Sequence, residues 1–139
     1  MTANILVPDH PEEQISKLLS LIGQPARIQI LLIIGAQAAC VCHLEAVLGY
    51  RQAYISQHLM ALRDAGVIAA RREGRYMYYR LQNQELLELI NAAGRLCNLR
   101  QGELERAFPP AFVSDCACPN CATSAPVSLM QVDLPDSIE

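Results

Sequence analysis

"ISQHLMALRDAGVIAARREGRYMYYRL", Ile55 to Leu81, decides the fold, because the hydrophobic period changes in its middle. In the first half Ile55, Leu59 and Leu62 recur at helical spacing and share one face, and Gly66 stands where a helix is capped. In the second half "VIAARREGRYMYYRL" has two β-prone arms around "REGR", which reads as a hairpin turning at Glu73–Gly74. Upstream, "CHLEAVLG" reads as a short helix ending at Gly49, with a tight turn at Gly49–Tyr50 before the longer helix "RQAYISQHLMALRDAG". A short helix, a tight turn, a second helix and a basic hairpin describe a winged helix-turn-helix.

Further out, "HPEEQISKLLSLIG" has Pro11, Glu12 and Glu13 as a first-turn signature and Gly23 as a stop, with Ile15, Leu18, Leu19 and Ile22 at helical spacing. "QPARIQILLIIGA" is apolar nearly all round, which predicts a buried helix. On the far side, "NQELLELINAAGRLCNLRQGELERA" returns to a helical period, with Leu86, Leu89, Ile90, Ala93, Leu96 and Cys97 as its stripe. After Phe108 the chain breaks at Pro109–Pro110 and keeps no sustained period. The expected fold is mainly α with one β-hairpin. Its domain spans residues 1–107, and an extended cysteine-bearing tail spans 108–139.

The composition fits one domain: 139 residues, 52% of them apolar, supply a single core. The longest apolar run, "IQILLIIGAQAACVC", is interrupted by Gln29, Gly35 and Gln37, so no membrane span is expected. "MTANILVPDHPEEQ" lacks a basic n-region and a cleavage pattern, which makes a cytoplasmic protein the expectation. In a reducing cytoplasm six cysteines point to metal binding or redox sensing rather than to structural disulfides. The net charge of −3 hides a local field. Six arginines between Arg51 and Arg80 face only Asp64 and Glu73, a segment of +4 inside a remainder of −7. Such a field can meet phosphate.

The second helix of the motif turns Ala53, Ser56 and Gln57 outward, with Gln52 and Tyr54 flanking and Arg51 at its start. Polar and aromatic side chains near a helix N-terminus reach base edges or phosphates in a major groove. His58 lies beside the apolar face, either as a further contact or as a hydrogen-bonded, half-buried residue. Arg71, Arg72 and Arg75 crowd the hairpin tip, where a wing grips backbone or minor groove. The bland alternative is a polar helix face and a solvated hairpin.

"GQPARIQILLII", "CVCHLEAVLG" and the stretch Ile55–Leu81 together resemble the ArsR/SmtB family of metal-responsive repressors, over roughly residues 12–100. The resemblance implies a homodimer with the first and last helices at its interface. It also implies two winged helices reading a palindromic double-stranded operator, and release when an inducer binds. The family's recognition helix carries over onto Arg51 to Arg63, and its wing onto Arg71 to Arg80, Tyr76 included.

In that family a "CVC" opening the first helix of the motif is a thiolate inducer site, which here implies Cys40 and Cys42. The placement has a physical logic, since thiolates bind soft ions and a helix N-terminus favours the thiolate. Residues two apart in an ideal helix point about 200° apart, so the sulfurs converge only at a frayed first turn. The competing reading is that "AACVC" is plain core. Two thiols are too few for a tight site. The N-terminal arm has only His10, and the last helix lacks the family's "DxH…HxxE/H" zinc or cobalt pattern. Cys116, Cys118 and Cys121 combine C-x-C with C-x-x-C in a nonhelical segment that can wrap one ion. Three thiolates suit As(III), Sb(III) or Pb(II), and four suit Cd(II) or Zn(II). Cys97 is expected in the core.

Two rival readings follow from the same cysteines. The first keeps DNA binding but makes the signal a disulfide, a persulfide or an iron–sulfur centre. The second is a thiol oxidoreductase, but such enzymes set C-x-x-C at a helix start after a strand, not in a proline-broken tail. With no Walker loop, acid pair or Ser–His constellation, catalysis is not expected.

Overall fold

The computed structural model describes residues 10–100 and 102–107. The order is α1 (Pro11–Ile22), α2 (Pro25–Ala36), β1 (Ala39–Cys40), α3 (Val41–Leu48), α4 (Gln52–Asp64), β2 (Ile68–Glu73), β3 (Tyr76–Leu81), α5 (Glu85–Leu96) and α6 (Glu103–Ala107). Cys116, Cys118 and Cys121, with the expected tail, lie outside the described residues. Among the described residues no single helix is long and apolar enough to cross a membrane.

α2 is the central helix, as its all-round apolarity requires. Ile30, Leu31, Ile33 and Ile34 are buried and join Leu44 of α3, Ile55, Leu59 and Leu62 of α4, and Ile68 and Leu81 of the sheet in one core. Gly35 lets Leu87 of α5 lie directly against α2, since a Cβ there would fall 2.5 Å from the leucine side chain.

Three breaks fix the path of the chain. Gly49 ends α3 in the left-handed region (φ 77°), and its N–H returns to the Glu45 carbonyl at 2.8 Å. Gly66 (φ 80°) follows the α4 cap. Its N–H donates to the Arg63 carbonyl at 2.9 Å while the Val67 N–H donates to that of Leu62 at 3.0 Å, a Schellman ending. The same pattern ends α5, with Asn98 (φ 68°) in the glycine's place: its N–H reaches Arg95 and that of Leu99 reaches Gly94, both at 3.0 Å. The helix expected to run on through Cys97 therefore stops there. Leu96 is 86% exposed and Cys97 is also exposed, a correction to the expected stripe and to the core placement of Cys97.

The sheet has three antiparallel strands in the order β1-β3-β2. Glu73 pairs with Tyr76, so the hairpin turns at Gly74–Arg75, one residue later than expected. Only Gly74 of the two has positive φ (63°), the pattern of a type II′ turn. β1 was not foreseen. It pairs Ala39 with Tyr79 and Cys40 with Tyr78, and so adds an edge to the hairpin from the segment just before α3.

Replacing Gly66 with Ala forces a Cβ into the left-handed region and is expected to cost about 1–2 kcal/mol of stability. Urea unfolding should show Gly66→Asn losing clearly less, and equal losses for both would remove the conformational explanation.

Candidate nucleic-acid interface and thiol cluster

α4 carries two faces. Ile55, Leu59 and Leu62 are buried, while Gln52, Ala53 and Gln57 are exposed and Ser56 is half-buried. Tyr54 is 44% exposed. Met60, which sequence reasoning passed over, extends the outward row and is 58% exposed. The spacing of 53, 57 and 60 alone marks it as surface, but a methionine reads as core in a pattern search. Arg51 precedes α4 as its extended N-cap, and no acidic residue stands in the first turn. A cation there opposes the helix dipole, so the positive end stays free to meet an anion.

His58 does not join this surface. It is 7% exposed, and its Nδ1 accepts a hydrogen bond from Arg27 Nε at 2.9 Å. Arg27 Nη1 also donates to the Leu21 carbonyl at 2.8 Å, so one guanidinium ties the end of α1, α2 and α4 together. Of the two readings the sequence left open for His58, its burial and its bond to Arg27 match the hydrogen-bonded one, with the ring turned toward α2. Tyr54 stacks edge-on against it at 4.6 Å, and Tyr50 against Tyr54 at 5.0 Å. Tyr50 Oη in turn donates to Gln29 Oε1 at 2.8 Å. The Arg27–His58 and Tyr50–Gln29 bonds were not foreseen from the sequence, since their partners lie 31 and 21 residues apart. Burial, and then the Arg27 charge, push the His58 pKa below its ordinary value near 6.5.

The wing carries Arg71, Arg72 and Arg75, all exposed. Arg71 forms an ion pair with Glu73 on its own strand, whereas Arg72 and Arg75 at the tip form none among the described residues. Tyr76 is half-buried and leans toward the thiols.

Cys40 is the extended N-cap of α3 (φ −92°, ψ 170°), and Cys42 lies in the first turn. The expected problem of sulfurs pointing apart on a helix is eased, because Cys40 stands outside the helix proper. Cys40 is 2% exposed, Cys42 is half-buried, and both cluster with Ala38, Tyr76 and Tyr78. His43, next in sequence and also missed, is buried, and burial lowers its pKa. Among the described residues no three His, Cys, Asp or Glu side chains come together as a metal site.

A half-buried helix after a tight turn, followed by a basic hairpin on a three-stranded sheet, defines a winged helix-turn-helix transcriptional regulator. The profile of the bacterial regulatory protein arsR family matches residues 24–70. The biofilm growth-associated repressor of Agrobacterium fabrum is 35% identical over 79 residues, covering 57% of this chain and 68% of that one. The arsenic resistance transcriptional regulator ArsR1 of Pseudomonas putida is 39% identical over 61 residues, 43% of this chain and 48% of that one. The crystal structure of the transcriptional repressor BigR from Xylella fastidiosa superposes with a TM-score of 0.59 at 26% identity, covering 64% of this chain and 91% of that one. The chain belongs to the ArsR/SmtB family of transcriptional regulators.

The burial of His58, with Arg27 beside it, sets a pH response. The folded pKa is lowered, so the unfolded chain takes up a proton first as pH falls below about 6.5, and stability declines from there. Denaturant unfolding between pH 7.5 and 5.5 should show this decline, and His58→Gln should flatten part of it. Arg27→Met leaves Nδ1 buried without a donor and should cost about 1–3 kcal/mol.

Proposed function

We propose that this chain is a repressor that grips operator DNA as a homodimer and lets go when cysteine thiolates bind a soft metal or metalloid ion. The observation that carries the reading is the position of Cys40 and Cys42, at the cap and first turn of the helix that precedes the recognition helix. Ion chemistry at that point acts on the reading head itself. The likeness to a regulator named for arsenic resistance supports a soft ion of the As(III) type. Sb(III), Pb(II), Cd(II) and Zn(II) share the thiolate preference.

Operator DNA is met by Arg51, Gln52, Ala53, Tyr54, Ser56 and Gln57 on α4, with Met60 added, and by Arg71, Arg72, Arg75 and Tyr76 on the wing. The arginines hold phosphate, and the α4 side chains read base edges. The dimer is supported by apolar surface on α1 and α5. Ile15 is 58% exposed, and Leu18, Leu19 and Leu89 are exposed beside it. Leu19 and Leu89 line an apolar groove with Ile28, Ala93 and Cys97, a surface suited to the same helices of a second copy.

Cys40 and Cys42 supply two donors, whereas As(III), Sb(III) or Pb(II) takes three and Cd(II) or Zn(II) four. We assign the rest to Cys116, Cys118 and Cys121 in residues 108–139, from the same subunit or its partner. The ion binds the DNA-free shape better than the DNA-bound one, and that difference is the switch.

Fluorescence anisotropy on an operator selected in vitro tests this. Arsenite or Cd(II) should weaken binding about 5–150-fold, the usual range of such coupling. Replacing Cys116, Cys118 and Cys121 with Ser together should abolish the response. A cysteine-free protein that still leaves the DNA on adding ion overturns the reading. Release by oxidant but not by ion, under anaerobic thiol control, moves the assignment to redox sensing.

A further inference from the structure

Cys40 belongs to the wing. Its backbone pairs with Tyr78 of β3, and Tyr78 pairs with Arg71 of β2, so the three form one row across the sheet. Directly opposed residues in antiparallel strands put their side chains on the same face. Tyr76 and Arg80, two residues either side of Tyr78, share that face. Ala38, Arg71, Tyr78 and Arg80 line one small cavity there, and Cys40 packs on Tyr78 with Cys42 and Tyr76 around them. The opposite face, with Ile68, Ala39, Tyr79 and Leu81, is fixed to the main core. The thiols thus share one side of a three-stranded sheet, apart from the core, with Arg71 and Arg80, while Arg75 stands in the turn at the hairpin tip.

Burial gives the row a consequence. Cys40 is 2% exposed and Tyr78 3% exposed, each covered in part by the other. An ion that takes the Cys40 sulfur therefore has to disturb its packing against Tyr78. Tyr78 stands on β3, one arm of the hairpin that carries Arg72 and Arg75, so a change at the Cys40–Tyr78 contact falls on that arm. A ligand favours whichever shape it binds better.

We propose that the ion is sensed through the wing: Cys40 is the coupling thiol, and ion binding there withdraws the hairpin's phosphate grip through Tyr78. This rests on the thiolate-inducer reading above and names the route by which that site acts. The alternative route runs through α3 into α4 and leaves the wing unchanged.

The test is a cycle on the full-length protein, with Cd(II) and arsenite as probes. Arg72 and Arg75 are exposed hairpin residues, so Arg72→Ala with Arg75→Ala leaves the core untouched. That variant binds DNA more weakly from the start, and on the wing route the ion can remove little more. The ion-induced weakening should shrink several-fold against wild type. The slope of log affinity against log salt should fall in ion-loaded wild type by about 0.9 for each phosphate the wing releases. Cys40→Ser should still bind Cd(II) through the remaining thiols, seen as ultraviolet thiolate-to-metal absorption, yet lose most of its DNA release. If the arginine variant is released by the same factor as wild type, or if Cys40→Ser both binds ion and releases DNA normally, the wing route is overturned. If wild type binds no ion, or keeps its DNA with ion bound, the inducer reading itself fails and takes this one with it.

Discussion

Strand β3 is the constraint on which the rest of this molecule depends. It is the middle strand of the sheet, paired with β1 on one side and β2 on the other. Its side chains alternate between two environments. Tyr79 and Leu81 face the main core beneath α2, and Tyr76 and Tyr78 face the thiols. A one-residue slip of this strand exchanges the two sets, burying the thiol-facing tyrosines in the core and exposing a leucine. The core holds the register, and the register holds Cys40 opposite Tyr78. The Cys40–Cys42 cluster and the hairpin are thereby joined through β3 itself, without any loop between them.

The recognition helix is held by a different device. Its apolar face gives it depth, while Arg27 gives it a fixed tie to the helices behind it through His58. The aromatic line of Tyr50, Tyr54 and His58 runs along the same edge. α4 is therefore bound to α2 by polar and aromatic contacts, and the wing is bound to α3 by a strand. α4 and the hairpin are thus tied to the rest of the fold by different kinds of contact.

Much of this was legible in the sequence. The helices of the motif follow from Ile55, Leu59 and Leu62 at helical spacing and from the glycines at 49 and 66. The hairpin follows from β-prone arms around Gly74, displaced by one residue because either Glu73 or Arg75 can share a two-residue turn with glycine. Three features were not legible. A two-residue strand such as Ala39–Cys40 has no periodicity of its own, and its partner lies far along the chain. The stop at Asn98 was hidden because asparagine enters the left-handed region less often than glycine. His58 needed Arg27, and nothing in local sequence announces a bond between residues 31 apart. The cysteine spacing at 40 and 42 was plain from the start, but the burial of Cys40 against the wing was not.

The most direct measurement is amide hydrogen exchange on the DNA-free protein, with and without Cd(II). The account predicts faster exchange in the paired segments 39–40 and 76–81 once the ion is bound, with the interior of α4 as protected as before. Unchanged protection across β1 and β3, with loosening confined to α3 and α4, would contradict it.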